Sequence, residues 1–80
     1  MTEATSALAL RVAIQAAARQ QSPTPALVAL LRVDPEARRL AQAEVDLAAS
    51  VVAARGEGAC HLTASTLRVL GEALAQAAAS

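Results

Sequence analysis

The stretch 7-ALALRVAIQAAARQ-20 decides the fold class. Its first half alternates, with Leu8, Leu10, Val12 and Ile14 separated by Ala9, Arg11 and Ala13, and period two is the mark of a strand. Its second half, with three consecutive alanines, reads as helix. An N-terminal strand followed by helices leaves open a ribbon-helix-helix DNA-binding dimer; a helix from the start largely closes that door. The helical reading is the stronger. Ala, Leu, Arg and Gln lead the helix scale, and no turn residue separates Ile14 from the alanines, so a strand ending there has no exit. On a helical wheel Leu10, Ile14 and Ala17 share one face, with Ala7 and Ala18 beside them. Leu8 and Val12 lie on a neighbouring face, and Arg11, Gln15 and Arg19 form a narrow strip. The spacing predicts a helix over 5–20, apolar around most of its circumference, as for a helix packed on two sides.

Outward from this stretch, punctuation sets the remaining boundaries. In Ser22-Pro23-Thr24-Pro25, Thr24 serves as an N-cap with Pro25 at the first helical position, and Ser22 with Pro23 offers the same choice two residues earlier. A short helix over 25–32 follows, with Leu27, Leu30 and Leu31 on one side. Asp34-Pro35-Glu36 is the clearest helix start: a capping carboxylate, a pre-set backbone angle, and an acid at the positive helix end. The helix it opens, over 35–55, carries two apolar seams. Leu40, Ala43, Leu47, Val51 and Ala54 make one, and Ala41, Val45, Ala48 and Val52 make the other. Arg55-Gly56 ends it. The last helix, over 63–78, starts at Thr63 as N-cap. Leu62 and Leu67 stand at the spacing of a hydrophobic staple, and Leu67, Leu70, Leu74 and Ala77 line its seam. Gly71 lies beside that seam. A mid-helix glycine costs about 1 kcal/mol relative to alanine, so it is either tolerated or marks a place where another helix comes close.

The fold class predicted is therefore all-α: a single domain over 1–80, a small bundle of three long helices and one short one, centred on the 35–55 helix and completed by dimerisation. The case for dimerisation is compositional. The chain holds 23 alanines and no Phe, Tyr or Trp. A CH₂ group contributes roughly 0.8 kcal/mol on burial, against about 1.5–3 kcal/mol for a Leu or Val side chain. An aromatic-free chain of 80 residues is marginal alone, and burying a second surface against a partner offsets the deficit.

Charge and composition exclude several function classes. Seven Arg balance five Glu and two Asp, with no Lys, so the surface exerts no long-range pull on phosphate backbones or anionic lipids. The lone Cys60 excludes an intrachain disulfide. Glu3 in place of a basic n-region, and Arg11 inside the apolar stretch, argue against a signal peptide. No uncharged apolar run approaches the ~18 residues of a membrane span. A cytoplasmic protein is expected, and the all-Arg, Ala-rich usage suggests a high-GC bacterial or phage genome.

Few residues offer chemistry. Cys60-His61 is the one adjacent pair of soft ligands, and it reads as a loop pair; two copies in a dimer would make a Cys₂His₂ set. No catalytic residue, cofactor or metal is assigned. Glu44 falls between the two seams of the long helix. Either its stem lies on apolar surface with the carboxylate in water, or it pairs with an arginine such as Arg11 or Arg19, or with one from a symmetry mate. The stretch 62-LTASTLRVLGEAL-74 has the Ser/Thr-rich start of a recognition helix, but only Arg68 would supply charge, and capping explains its hydroxyls equally well.

Two functions follow as expectations. The first is a non-catalytic interaction module, a homodimer or a subunit, adaptor or regulator for a larger protein partner. Its contacts would be carried by Leu10, Ile14, Leu40, Glu44, Leu47, Val51, Leu67, Gly71 and Leu74. The second is a small transcriptional regulator or antitoxin-like DNA binder using the 63–78 helix.

Overall fold

Hydrogen-bonding caps stand where the punctuation placed them. The computed structural model describes residues 3–79, which form four helices and a single 3₁₀ turn: α1 Glu3–Gln20, α2 Pro25–Val33, α3 Pro35–Arg55, the turn Glu57–Ala59, and α4 Ala64–Ala78. No strand occurs among the described residues, so the 7–20 stretch is helical throughout. Thr24 Oγ1 accepts from the Leu27 N–H at 3.2 Å, Asp34 Oδ1 from the Glu36 N–H at 3.1 Å, and Thr63 Oγ1 from the Thr66 N–H at 3.1 Å. Each satisfies one of the orphan donors of a first helical turn. At the end of α3, Gly56 adopts φ 90°, in the positive-φ region that glycine suits.

The end of α1 is less orthodox. Gln21 occupies the left-handed region at φ 55°. Its N–H donates to Ala18 O at 3.2 Å and that of Ser22 to Ala17 O at 3.3 Å, the bond pair of a Schellman motif with glutamine where glycine is usual. The Arg68 guanidinium donates to the Gln21 carbonyl at 3.2 Å, tying the start of α4 to this corner. At the other end of the molecule Arg32 donates to Gln76 O at 3.1 Å, joining α2 to the last turn of α4.

The core draws on all four helices: Leu10 and Ala17 of α1, Leu27, Val28 and Leu31 of α2, Ala41 of α3, and Val69, Leu70, Ala73 and Ala77 of α4. The 35–55 helix packs against α1, α2, α4 and the 3₁₀ turn. The short α2 contributes three buried aliphatics and packs most extensively against α4. The seam of α4 is also rotated from the expected one. Val69, Leu70, Ala73 and Ala77 are buried, and Leu67 and Leu74 are half-buried at its margin.

One polar pair is built into this interior. Ser6 of α1 is fully buried, and its hydroxyl donates to Asp34 Oδ2 at 2.8 Å. The cap of α3 is thereby clamped to the first turns of α1. Beside it Arg39 pairs with Glu36 on its own helix and reaches Glu3 of α1 at 3.5 Å, so the N-terminal ends of α1 and α3 lie together.

Candidate functional site

The long helix buries the poorer of its two seams. Ala37, Ala41 and Ala48 are fully enclosed, with Val45 and Val52 half-buried beside them. The seam that carries the larger side chains is left at the margin. Leu40 and Val51 are half-buried, Ala43 and Ala54 are exposed, and Leu47 is 53% exposed. Alanine faces let helix backbones approach closely.

Where this leftover seam meets α1 and α4, the surface opens into a groove of about 450 Å³. Its α1 wall is Ala7, Leu10, Arg11, Ile14, Gln15 and Ala18; Leu40 and Glu44 form the α3 wall; Leu62, Thr66 and Leu70 close the end formed by α4. The lining is thus mainly aliphatic, with Arg11, Gln15, Glu44 and Thr66 as its polar members. Among the described residues Glu44 pairs with no arginine. Its Oε2 lies 2.5 Å from His61 Nε2, both side chains remaining partly open to water. That pairing pins the loop before α4 to the middle of α3.

Four of the expected contact residues, Leu10, Ile14, Leu40 and Glu44, therefore gather in one groove. Leu47 and Val51 continue it along α3 by helical spacing. Leu10 forms part of the floor and is only 4% exposed, so it belongs first to the chain's own core. Leu67 and Leu74 are half-buried on α4 and do not line the groove. Gly71 does not mark a close helix approach within the chain, since a Cβ built there meets no atom within 4 Å. Gly71→Ala is accordingly expected to raise stability by about 1 kcal/mol through helix propensity alone. That corresponds to a melting temperature higher by about 4–8 °C. Unchanged or reduced stability in dilute solution would show that the open space has been misjudged.

The chemistry available elsewhere is limited. Among the described residues no three His, Cys, Asp or Glu side chains stand close enough to hold a metal ion. No helix among them is long and apolar enough to cross a membrane. On α4 the groups that DNA recognition would use are engaged within the chain. Arg68 pairs with Glu72 at 2.8 Å and with the Gln21 carbonyl, and Thr63 and Thr66 are bonded to each other in the cap. Two carboxyls have displaced protonation equilibria at the α1–α3 corner. The Ser6 hydroxyl, aided by the Ala37 and Glu36 N–H groups and opposed by burial, holds the Asp34 carboxyl below its ordinary value. The hydrogen bond from Arg39 does the same for Glu36. No family model, no curated protein and no solved structure matches this chain.

Proposed function

We propose that this chain is a non-catalytic protein–protein interaction module: a small cytoplasmic subunit, adaptor or regulator of bacterial or phage type that self-associates through its aliphatic helix seams. One observation carries this reading. The long helix encloses its alanine seam and leaves Leu40 in the wall of an open, largely apolar groove, with Leu47 and Val51 farther along the same helix face and not enclosed. A chain that needed to hide as much carbon as possible by folding alone would do the reverse, because each buried leucine contributes about 1.5–3 kcal/mol and an alanine methyl far less. Contiguous apolar surface rimmed by polar groups is characteristic of a contact surface.

The test is association itself. Sedimentation velocity from micromolar to millimolar concentration should show a reversible dimer, and the melting temperature should climb with concentration, because anything that binds only the folded state adds to its stability. Leu47→Glu should leave the helical spectrum intact, since the residue is 53% exposed, and should weaken association about tenfold. A chain that sediments as a monomer throughout, with a melting temperature independent of concentration, would refute self-association.

A further inference from the structure

We propose that the groove between α1, α3 and α4 is occupied by the α1 helix of a second copy, and that this helix enters with its outward stripe of Leu8, Val12, Gln15 and Arg19. The inference rests on reading the groove as an interface and specifies what fills it. The stripe follows helical spacing of four, three and four residues, so its members stand in one row. All four are exposed, Leu8 by 61% and Val12 by 58%, and the row points away from the buried face of Ser6, Leu10 and Ala17.

Position and charge together single out a second copy. The α1 wall of the groove, with Ala7, Arg11, Ile14 and Ala18, lies roughly a quarter turn around the same helix from the Leu8–Val12 ridge, at 3.6 residues per turn, and Gln15 stands at the boundary, lining the groove while belonging to the ridge's row. Ridge and groove therefore share one face of the molecule. A closed two-fold interface requires this, since each copy must give its ridge and receive its partner's through the same patch. On opposite faces the same two features would make an open chain of copies. The charges match in the same sense. Arg11 and Arg19 make no ion pair among the described residues, and the groove's single carboxylate is Glu44, on the wall facing α1. Each copy thus offers Arg19 on the entering stripe, with Arg11 beside it on the groove wall, and in the receiving groove a carboxylate that within the chain pairs with the partly exposed His61; a two-fold axis repeats the match. The exposed Leu47 and half-buried Val51, on the same face of α3 as Leu40, add apolar surface beside the groove.

Cross-linking tests this. In a C60S background, chains carrying V12C and L40C are purified separately, mixed and mildly oxidised. The expected product is a mixed disulfide dimer between the two chains, formed in clear excess over the symmetric dimers. Predominant V12C–V12C dimers would mean that the two ridges face each other, which overturns the proposal. A charge exchange gives an independent reading. An R11E/R19E chain and an E44R chain should each self-associate about tenfold more weakly than the unaltered chain, and their equimolar mixture should recover the full affinity as a heterodimer. A dimer seen by sedimentation but with neither the mixed disulfide nor recovery on mixing would sink the ridge-in-groove assignment and leave self-association standing. A monomer at every concentration would remove both.

Discussion

Replacing Leu31 with alanine is expected to lower the free energy of unfolding by about 3 kcal/mol, within the range of about 2–5 kcal/mol for deleting a buried leucine side chain. Leu31 is fully enclosed on α2, the nine-residue helix that also supplies Leu27 and Val28 to the core. The size of the effect depends on how far the surroundings can collapse into the space left behind. Here much of the core consists of Ala17, Ala41, Ala73 and Ala77, whose side chains end at Cβ and cannot swing inward. The void therefore persists, and its cost adds to the lost transfer energy. An 80-residue domain holds roughly 4–12 kcal/mol in total, at about 0.05–0.15 kcal/mol per residue, so this one change removes a quarter or more of it. Urea unfolding at fixed protein concentration should show a lower midpoint with an unchanged slope. Val33→Ala, two residues along the same helix at 77% exposure, should move stability by no more than about 0.5 kcal/mol. Equal effects at the two positions would mean that the buried face of α2 has been wrongly assigned.

Much of the fold was legible because the chain marks its helix boundaries with residues of narrow conformational use. Asp34-Pro35 at one end and Gly56 at the other delimit α3 as 35–55, as expected, and Thr24-Pro25 and Thr63 start the neighbouring helices within one residue of the reading. Which side of each helix is buried was far less legible. With alanine on nearly every strip, period-3.6 patterns overlap. Both seams of α3 were visible, but the choice between them depends on how closely α1 and α4 approach, which is a tertiary quantity. On α4 the same ambiguity hid Val69 and Ala73 behind Leu67 and Leu74. The groove was legible only as scattered members. Leu10, Ile14, Leu40 and Glu44 were singled out one by one, and Leu62, Thr66 and Leu70 join them only because the chain folds back after Gly56. His61 as the partner of Glu44 depends on that same fold-back and left no local signal. Ser6 did leave one. It stands four, seven and eleven residues before Leu10, Ala13 and Ala17, a single hydroxyl on an otherwise apolar row. A polar residue in such a row needs a buried partner, and Asp34, already identified as a cap, had a second oxygen to offer.

From that pair an acid-sensitive stability is expected. At neutral pH Ser6→Ala should cost about 1–3 kcal/mol, because it removes a hydrogen bond donated to an ionised acceptor in the interior and leaves Asp34 Oδ2 without the partner now 2.8 Å away. The pH dependence follows from the direction of the displaced equilibrium. The Ser6 hydroxyl is the largest influence holding the folded Asp34 carboxyl below its ordinary value of 3.8. The folded state therefore binds this proton less readily than the unfolded chain, and the stabilisation is fully present above that ordinary value. It is lost as the pH falls through the lower, folded value. Glu36, held below its ordinary 4.5 by Arg39, contributes with the same sign. Asp34→Asn separates charge from cap, since asparagine caps a helix about as well as aspartate but does not titrate. Unfolding free energies measured from neutral pH down to about pH 2 should fall more steeply for the unaltered chain than for D34N. In Ser6→Ala the fall should begin at the same ordinary value but be smaller and end at a higher pH, because the folded value rises toward 3.8 as the carboxyl loses its principal donor. Parallel acid limbs for the unaltered chain and D34N would place the acid sensitivity elsewhere, with the Glu36–Arg39 pair the next group to examine by E36Q.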